Sequence, residues 1–336
     1  MSDKIVCVVF LVYLFGCSEA IKADSSKKLV IDHDGGADDA FAITMSLLNE
    51  KYFDGPKLVA LTTTFGNVNL SQAIINSDRI LATVGRQDVP TYVGAYHALI
   101  SYEESDYFFG RDGLGDDGYK PCAPIKVKEE PAAYALLELS KKYEGELIVI
   151  AIGPLTNIAL AARMDSNFID RLAQIYVGSG HIYSEEFSKP EFNVNMDPEA
   201  YRIVADRAVL DKVTFVPFSQ IKLTLNSSLD WRKNVLGKID TPLMHALNGF
   251  ERISLPKTTS WTILDPAVAA IALNNDVVDE FKNVKNDIIL EGRNRGINTN
   301  NFTSTNPNGR LVYAANIEKY HKFMEDLYSA ELKHRH

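Results

Sequence analysis

The sequence is poor in cysteine. Three occur in 336 residues, at positions 7, 17 and 122. Cys7 and Cys17 fall in a stretch that reads as a removable leader, so one thiol remains and no internal disulfide can form. Cys122 has no Cys or His near it at metal-ligand spacing, which leaves it without chemistry of that kind. A chain of this length manages without staples, because 46% of it is hydrophobic and it can build a full core. Positive charge is also scarce. With 35 Lys and Arg against 44 Asp and Glu, the net charge is −9, which argues against a broad nucleic-acid surface. The apolar run at residues 5–16 is too short to span a bilayer, and no later run is long and apolar enough, so no membrane role is expected. There is no internal repeat, no long linker, and no P-loop or dinucleotide glycine fingerprint.

The first twenty residues read as a cleaved secretory signal. Lys4 supplies a weak positive start, residues 5–16 an apolar run, and Ser18 and Ala20 small residues before a cut. The alternative is a retained anchor. On the first reading the mature chain starts near Ile21 and is secreted, extracellular. Residues 21–336 then form a single domain. Three N-x-S/T sequons stand at Asn69, Asn226 and Asn301. The last two lie in polar, turn-rich stretches suited to glycan, whereas Asn69 lies too near the carboxylates described below.

Strand-like and helix-like runs alternate. Residues 29–31, 58–62, 146–151, 175–177 and 213–216 read as strands. Residues 40–48 read as a helix that Asn49 can end, and 157–163 and 198–205 as further helices. The pattern predicts an α/β fold: a doubly wound, mostly parallel sheet with helices on both faces. In such sheets ligands bind beyond the carboxyl ends of the strands.

The first strand ends in Asp32-His33-Asp34-Gly35-Gly36-Ala37-Asp38-Asp39, four carboxylates within eight residues. Crowded carboxylates raise one another's pKa unless a cation gathers them. An all-oxygen set suits a hard ion, Ca²⁺ or Mg²⁺. A plain acidic helix start explains one or two of these aspartates, not four. His33 alternates away from its neighbours along the strand.

This run resembles the fingerprint of the inosine–uridine-preferring nucleoside hydrolase family. Later segments follow in the family's order: Thr64-Phe65-Gly66-Asn67, Gly153-Pro154-Leu155-Thr156-Asn157, Glu191-Phe192-Asn193 with Asp197-Pro198, and Leu264-Asp265-Pro266. The likeness covers residues 28 to about 275, and within the family it is nearest to secreted salivary-type purine nucleosidases. It implies a Ca²⁺-dependent hydrolase that splits a ribonucleoside into ribose and free base. Asp34 would be a metal ligand and the base for the attacking water. Asp39, Asp265 and the Thr156 carbonyl would complete the metal site. Asp38, Asn67, Glu191 and Asn193 would hold the ribose. Asp32 would steady the loop from behind. Family relatives form dimers or tetramers, so a homo-oligomer is implied. The physics agrees: N-glycosidic cleavage builds positive charge on the sugar, and a carboxylate-rich pocket stabilises it.

The departing base needs help, and here the sequence parts from some relatives. Pyrimidine-tolerant members carry a histidine just before the last metal aspartate; this chain has Leu264. Aromatic stacking that favours purines is then expected from Trp261, with Tyr102, Tyr107, Phe108 and Phe109 as a second face. His181 is a candidate acid, and His97 a weaker one. Two other readings stay open: a Mg²⁺ phosphatase built on Asp32-x-Asp34, and a binding protein that kept the fold without the chemistry.

Overall fold

The computed structural model describes residues 24–100, 104–121 and 123–334. The leader with Cys7 and Cys17, the start of the mature chain, Tyr102 and Cys122 lie outside the described residues. The chain alternates strands and helices through its first two thirds. β1 (Lys28–His33) leads to α1 (Ala37–Tyr52), β2 (Lys57–Thr63) to α2 (Leu70–Thr83), and β3 (Thr91–Tyr92) to α3 (Ala132–Lys142). Then β4 (Leu147–Ala151) leads to α4 (Thr156–Met164) and α5 (Phe168–Arg171), and β5 (Gln174–Gly178) to α6 (Phe192–Met196) and α7 (Pro198–Arg207). After β6 (Val213–Val216) come α8 (Phe218–Thr224), α9 (Pro242–Phe250) and α10 (Leu264–Leu273). Strands β7 (Val278–Ile288), β8 (Asn298–Asn301) and β9 (Gly309–Ala315) precede the closing helix α11 (Ile317–Lys333).

The described strands form one sheet in the order β3-β2-β1-β4-β5-β6-β9-β7-β8. Pairing is parallel from β3 across to β9. β7 and β8 add an antiparallel end. Period-two alternation with both faces buried explains the fully apolar strands. Leu29, Ile31, Ile148 and Ile150 pack with α1, α10 and α11. Val30, Val149 and Ala151 pack on the other face with α4 and α7. The mostly parallel, doubly wound sheet is therefore as expected. The antiparallel end is not, because β7 is polar and half-exposed along much of its length. Asn49 does not end α1: it is buried within the helix, which runs on to Tyr52, and its carbonyl accepts from both Phe53 N and Gly55 N. Glu146 lies just outside β4.

Strand order reverses at β1. β2 and β3 lie on one side of it, and β4 with the later strands on the other. The crevice beyond the carboxyl ends of β1 and β4 is the place such a sheet offers a ligand.

Candidate active site

Two turns deliver the acidic residues to that crevice. After β1 the chain bends through Gly35 at φ 84, a left-handed conformation that glycine adopts freely. Gly36 then caps α1. Asp39, at the third position of the helix, accepts from Gly36 N at 2.6 Å and Asp34 N at 3.3 Å, which closes the turn on itself. The helix N-terminus favours the negative charge of Asp38 and Asp39. From the other side, Asn67 N donates to Asp34 Oδ2 at 2.8 Å. Gly66 must be glycine for this approach, since a Cβ there would overlap the Asp34 carboxylate.

Beneath these residues Asn157 ties three segments together. Its Nδ2 donates to Asp32 Oδ1 at 2.8 Å and to Thr63 O at 2.9 Å, while its Oδ1 accepts from Ala95 N at 2.9 Å. Thr62 Oγ1 also donates to Asp32 Oδ1, at 2.6 Å. Asp32 is thus a buried brace behind the loop, as its expected role requires. His33 turns to Ser77 on α2, with Nε2 3.0 Å from its hydroxyl, and keeps Nδ1 3.9 Å from Asp39.

A cavity of about 290 Å³ opens above, close to the lower size of small-molecule sites. Asp34, Asp38, Asn67, Glu191, Asn193 and Asp265 all line it. Asp39 lies under them, fully buried. Carboxylate oxygens of Asp38, Asp39 and Asp265 lie within 4.8 Å of one another. Asp34 lies beside this group, its backbone N 3.3 Å from Asp39 Oδ1. Burial, and then the charge of Asp39, push Asp34 and Asp38 well above the usual carboxylate range. Burial, and then the charges of Asp38, Asp39 and Asp34, do the same to Asp265. Burial lifts Asp39 to about 6. No Lys or Arg is among the lining residues to offset this repulsion. Such a set either keeps its protons or gathers around a hard cation, and its all-oxygen chemistry fits the second. The grouping differs from the expected ligands in bringing Asp38 in with Asp39 and Asp265 and in leaving Asp34 out. Thr156 begins α4, and its hydroxyl donates to Asp197 Oδ2 at 2.6 Å; it is not among the cavity's lining residues.

Glu191 caps α6. Its carboxylate accepts from Gly180 N, Asn193 N and Val194 N at 3.0–3.2 Å, and burial still raises it to about 7. Asn193 Nδ2 bridges the ends of β4 and β5, donating to Ile152 O and Gly178 O at 3.0 Å each. Its Oδ1 is therefore the side-chain atom left for a ligand.

The apolar part of the lining includes Phe108, Phe109, Phe192, Phe218, Ile263 and Leu264. Phe108 and Phe109 meet the expectation of an aromatic face. The loop carrying them is held down: Lys257 Nζ donates to Phe108 O at 2.6 Å, and Asn76 Nδ2 spans Gly35 O and Asp112 O at 2.6 Å each. Trp261 does not meet its expectation. It is 2% exposed, donates from Nε1 to Glu251 Oε1 at 2.6 Å, and packs edge-on against Phe41 at 5.5 Å. Its backbone pairs with Ser227, which turns the indole into the core. Tyr107 is exposed and lies outside the lining, as does the exposed His97. His181 does line the cavity, but burial and then the charge of Lys222 push it down to about 4, so it is uncharged at neutral pH. Asp106 and Phe218 went unread in the sequence, and Phe192 was read only as part of a motif, without a role of its own. Phe218 stands two residues beyond the end of β6 and Phe192 lies between two expected site residues, so the strand-end rule and the motif itself could have found them.

The inosine-uridine preferring nucleoside hydrolase model matches residues 29–322. Uridine nucleosidase 1 of Arabidopsis thaliana is 36% identical over 195 residues, 56% of each chain. The chain spans about half the length of the curated relatives it matches. A plant nucleoside hydrolase structure superposes with a TM-score of 0.81 at 23% identity, covering 91% of this chain and 99% of the other. A purine-preferring ribonucleoside hydrolase from Gardnerella vaginalis gives 0.79 at 23%, covering 91% and 100%. At such identities these two speak to fold alone. With its carboxylate turn, central Asn157 brace and Glu191-Phe192-Asn193 cap all within the matched span, the chain belongs to the inosine-uridine preferring nucleoside hydrolase family.

Proposed function

We propose that this protein is a Ca²⁺-dependent ribonucleoside hydrolase with a preference for purines, exported through its leader and glycosylated at Asn226 or Asn301. The carrying observation is that Asp34, Asp38 and Asp265 line one cavity together with Phe108, Phe109, Phe192 and Phe218. Asp34, Asp39 and Asp265, with the Thr156 carbonyl, would hold the ion, and Asp38 lies within reach of Asp39 and Asp265 to add a ligand. Bound there, Ca²⁺ would offset the carboxylates' repulsion and lower the pKa of a neighbouring water. Asp34 takes the proton of the attacking water, its carboxylate held by Asn67 N. The acidic lining stabilises the positive charge that grows on the ribose. Asp38, Asn67, Glu191 and Asn193 position the sugar hydroxyls. The base stacks on Phe108 and Phe109, not on Trp261. Purine preference follows from that aromatic area and from Leu264, which has no proton to give.

Incubation with inosine and with p-nitrophenyl phosphate separates the readings. Free hypoxanthine from inosine supports the hydrolase. Phosphate release without base release would favour the phosphatase, and neither product would favour a binding protein.

A further inference from the structure

His181 is the one imidazole among the cavity's lining residues. Its backbone is clamped by β8: its N–H donates to Asn298 Oδ1 at 2.9 Å, and its carbonyl accepts from Asn298 Nδ2 at 3.1 Å and Asn300 Nδ2 at 2.8 Å. Its ring sits in aromatic company, with centroids 5.1 Å from Phe187, 5.7 Å from Tyr183 and 6.0 Å from Phe218. The residue is 7% exposed, and Nδ1 is sealed from solvent without a hydrogen-bond partner. Fixing a histidine this firmly, with one nitrogen orphaned, is not explained by packing alone.

The orphaned atom decides the tautomer. A sealed N–H without an acceptor is rarer and more costly than a sealed lone pair without a donor. The neutral ring therefore keeps its proton on Nε2, the nitrogen left to meet a ligand. Hydroxyl-rich sugar matches the carboxylate and amide part of the lining, and a flat base matches the aromatic part, which reaches His181 through Phe218 at 6.0 Å.

We propose that His181 donates an Nε2–H hydrogen bond to a ring nitrogen of the departing purine, supplying the leaving-group stabilisation that Leu264 cannot. This rests on the hydrolase reading above. In the step, the water oxygen bonds to ribose C1 and its proton passes to Asp34. The C1–N9 bond breaks, and its electron pair spreads over the base onto N7 and N3. His181 steadies that pair without giving up its proton, and the base takes a proton from solvent after release.

The test compares the wild type, His181→Phe and His181→Gln on inosine, 7-deazainosine, 3-deazainosine and p-nitrophenyl β-D-riboside. His181→Phe should lower kcat/KM for inosine about 10- to 100-fold. It should leave the p-nitrophenyl riboside within about twofold, because that leaving group is stable as an anion. His181→Gln keeps an N–H and should recover most of the inosine rate. One deaza analogue should be slow in the wild type and no slower in His181→Phe. An unchanged inosine rate, or an equal fall on both leaving groups, overturns the proposal. Should His181→Phe fail to fold, the wild type still decides: loss of rate with one deaza analogue supports the proposal, and both cleaved like inosine overturns it. A wild type that releases no base from any nucleoside fails the underlying reading instead.

Discussion

The backbone N–H of Asn67 lies 2.8 Å from Asp34 Oδ2, and this bond fastens the end of β1 to the turn after β2. Asp34 is thereby held by two neighbouring strands, with Gly66 packed against its carboxylate. In the proposed role of proton acceptor, a carboxylate so fixed loses little freedom on reaching the transition state.

Replacing Asp34 with Ala should lower kcat/KM by about 100-fold or more, some 3 kcal/mol of transition-state stabilisation. Affinity for a non-hydrolysable nucleoside analogue should fall less. Steady-state rates beside calorimetric titration make the comparison, and near-wild-type turnover would remove Asp34 as the base.

The buried acids tie stability to pH. Asp32 and Glu191 are raised to about 7 and Asp39 to about 6, burial being the largest cause in each. Their protonated forms are favoured in the fold relative to the unfolded chain. This contribution is complete below the ordinary carboxylate pKa, near 4, and is lost as pH rises through 6–7. Metal-free protein should therefore lose thermal stability between about pH 5 and pH 8, and Ca²⁺ should raise Tm more at pH 8 than at pH 5. Thermal scans with and without chelator test this, and an equal Ca²⁺ effect at both pH values would contradict it.

Much of this site was legible because its chemistry is local. The four aspartates at positions 32, 34, 38 and 39 lie on one turn, and strand-end glycines mark where a sheet opens. Trp261 was misread because facing direction depends on a distant partner. Only its pairing with Ser227 and its bond to Glu251 turn the indole inward. The β7–β8 end was missed because half-exposed polar strands carry little period-two signal. Asn157 was read within a motif, but its three-way bracing depends on contacts 62 to 125 residues away.

Asn157→Ala should destabilise the fold by about 2–3 kcal/mol, since it leaves Asp32 and the Thr63 carbonyl short of donors in a buried place. Chemical denaturation measures the loss. A change below about 0.5 kcal/mol would mean that other groups take over its bonds.

Trp261→Phe should cost about 1–3 kcal/mol of stability by leaving a buried Glu251 oxygen without its donor. It should leave the inosine-to-uridine ratio of kcat/KM within about twofold, because the indole faces the core. A larger change in that ratio would put Trp261 back in the pocket.

In the proposed reaction water is added across a ribose–base bond with Asp34 as the base. Its most direct test is hydrolysis of inosine in ¹⁸O-labelled water with Ca²⁺ present, followed by mass spectrometry of both products. One label is expected on ribose and none on hypoxanthine, with neither product formed by Asp34→Ala at a comparable rate. Absence of labelled ribose from inosine and from every other ribonucleoside tried would contradict this proposal.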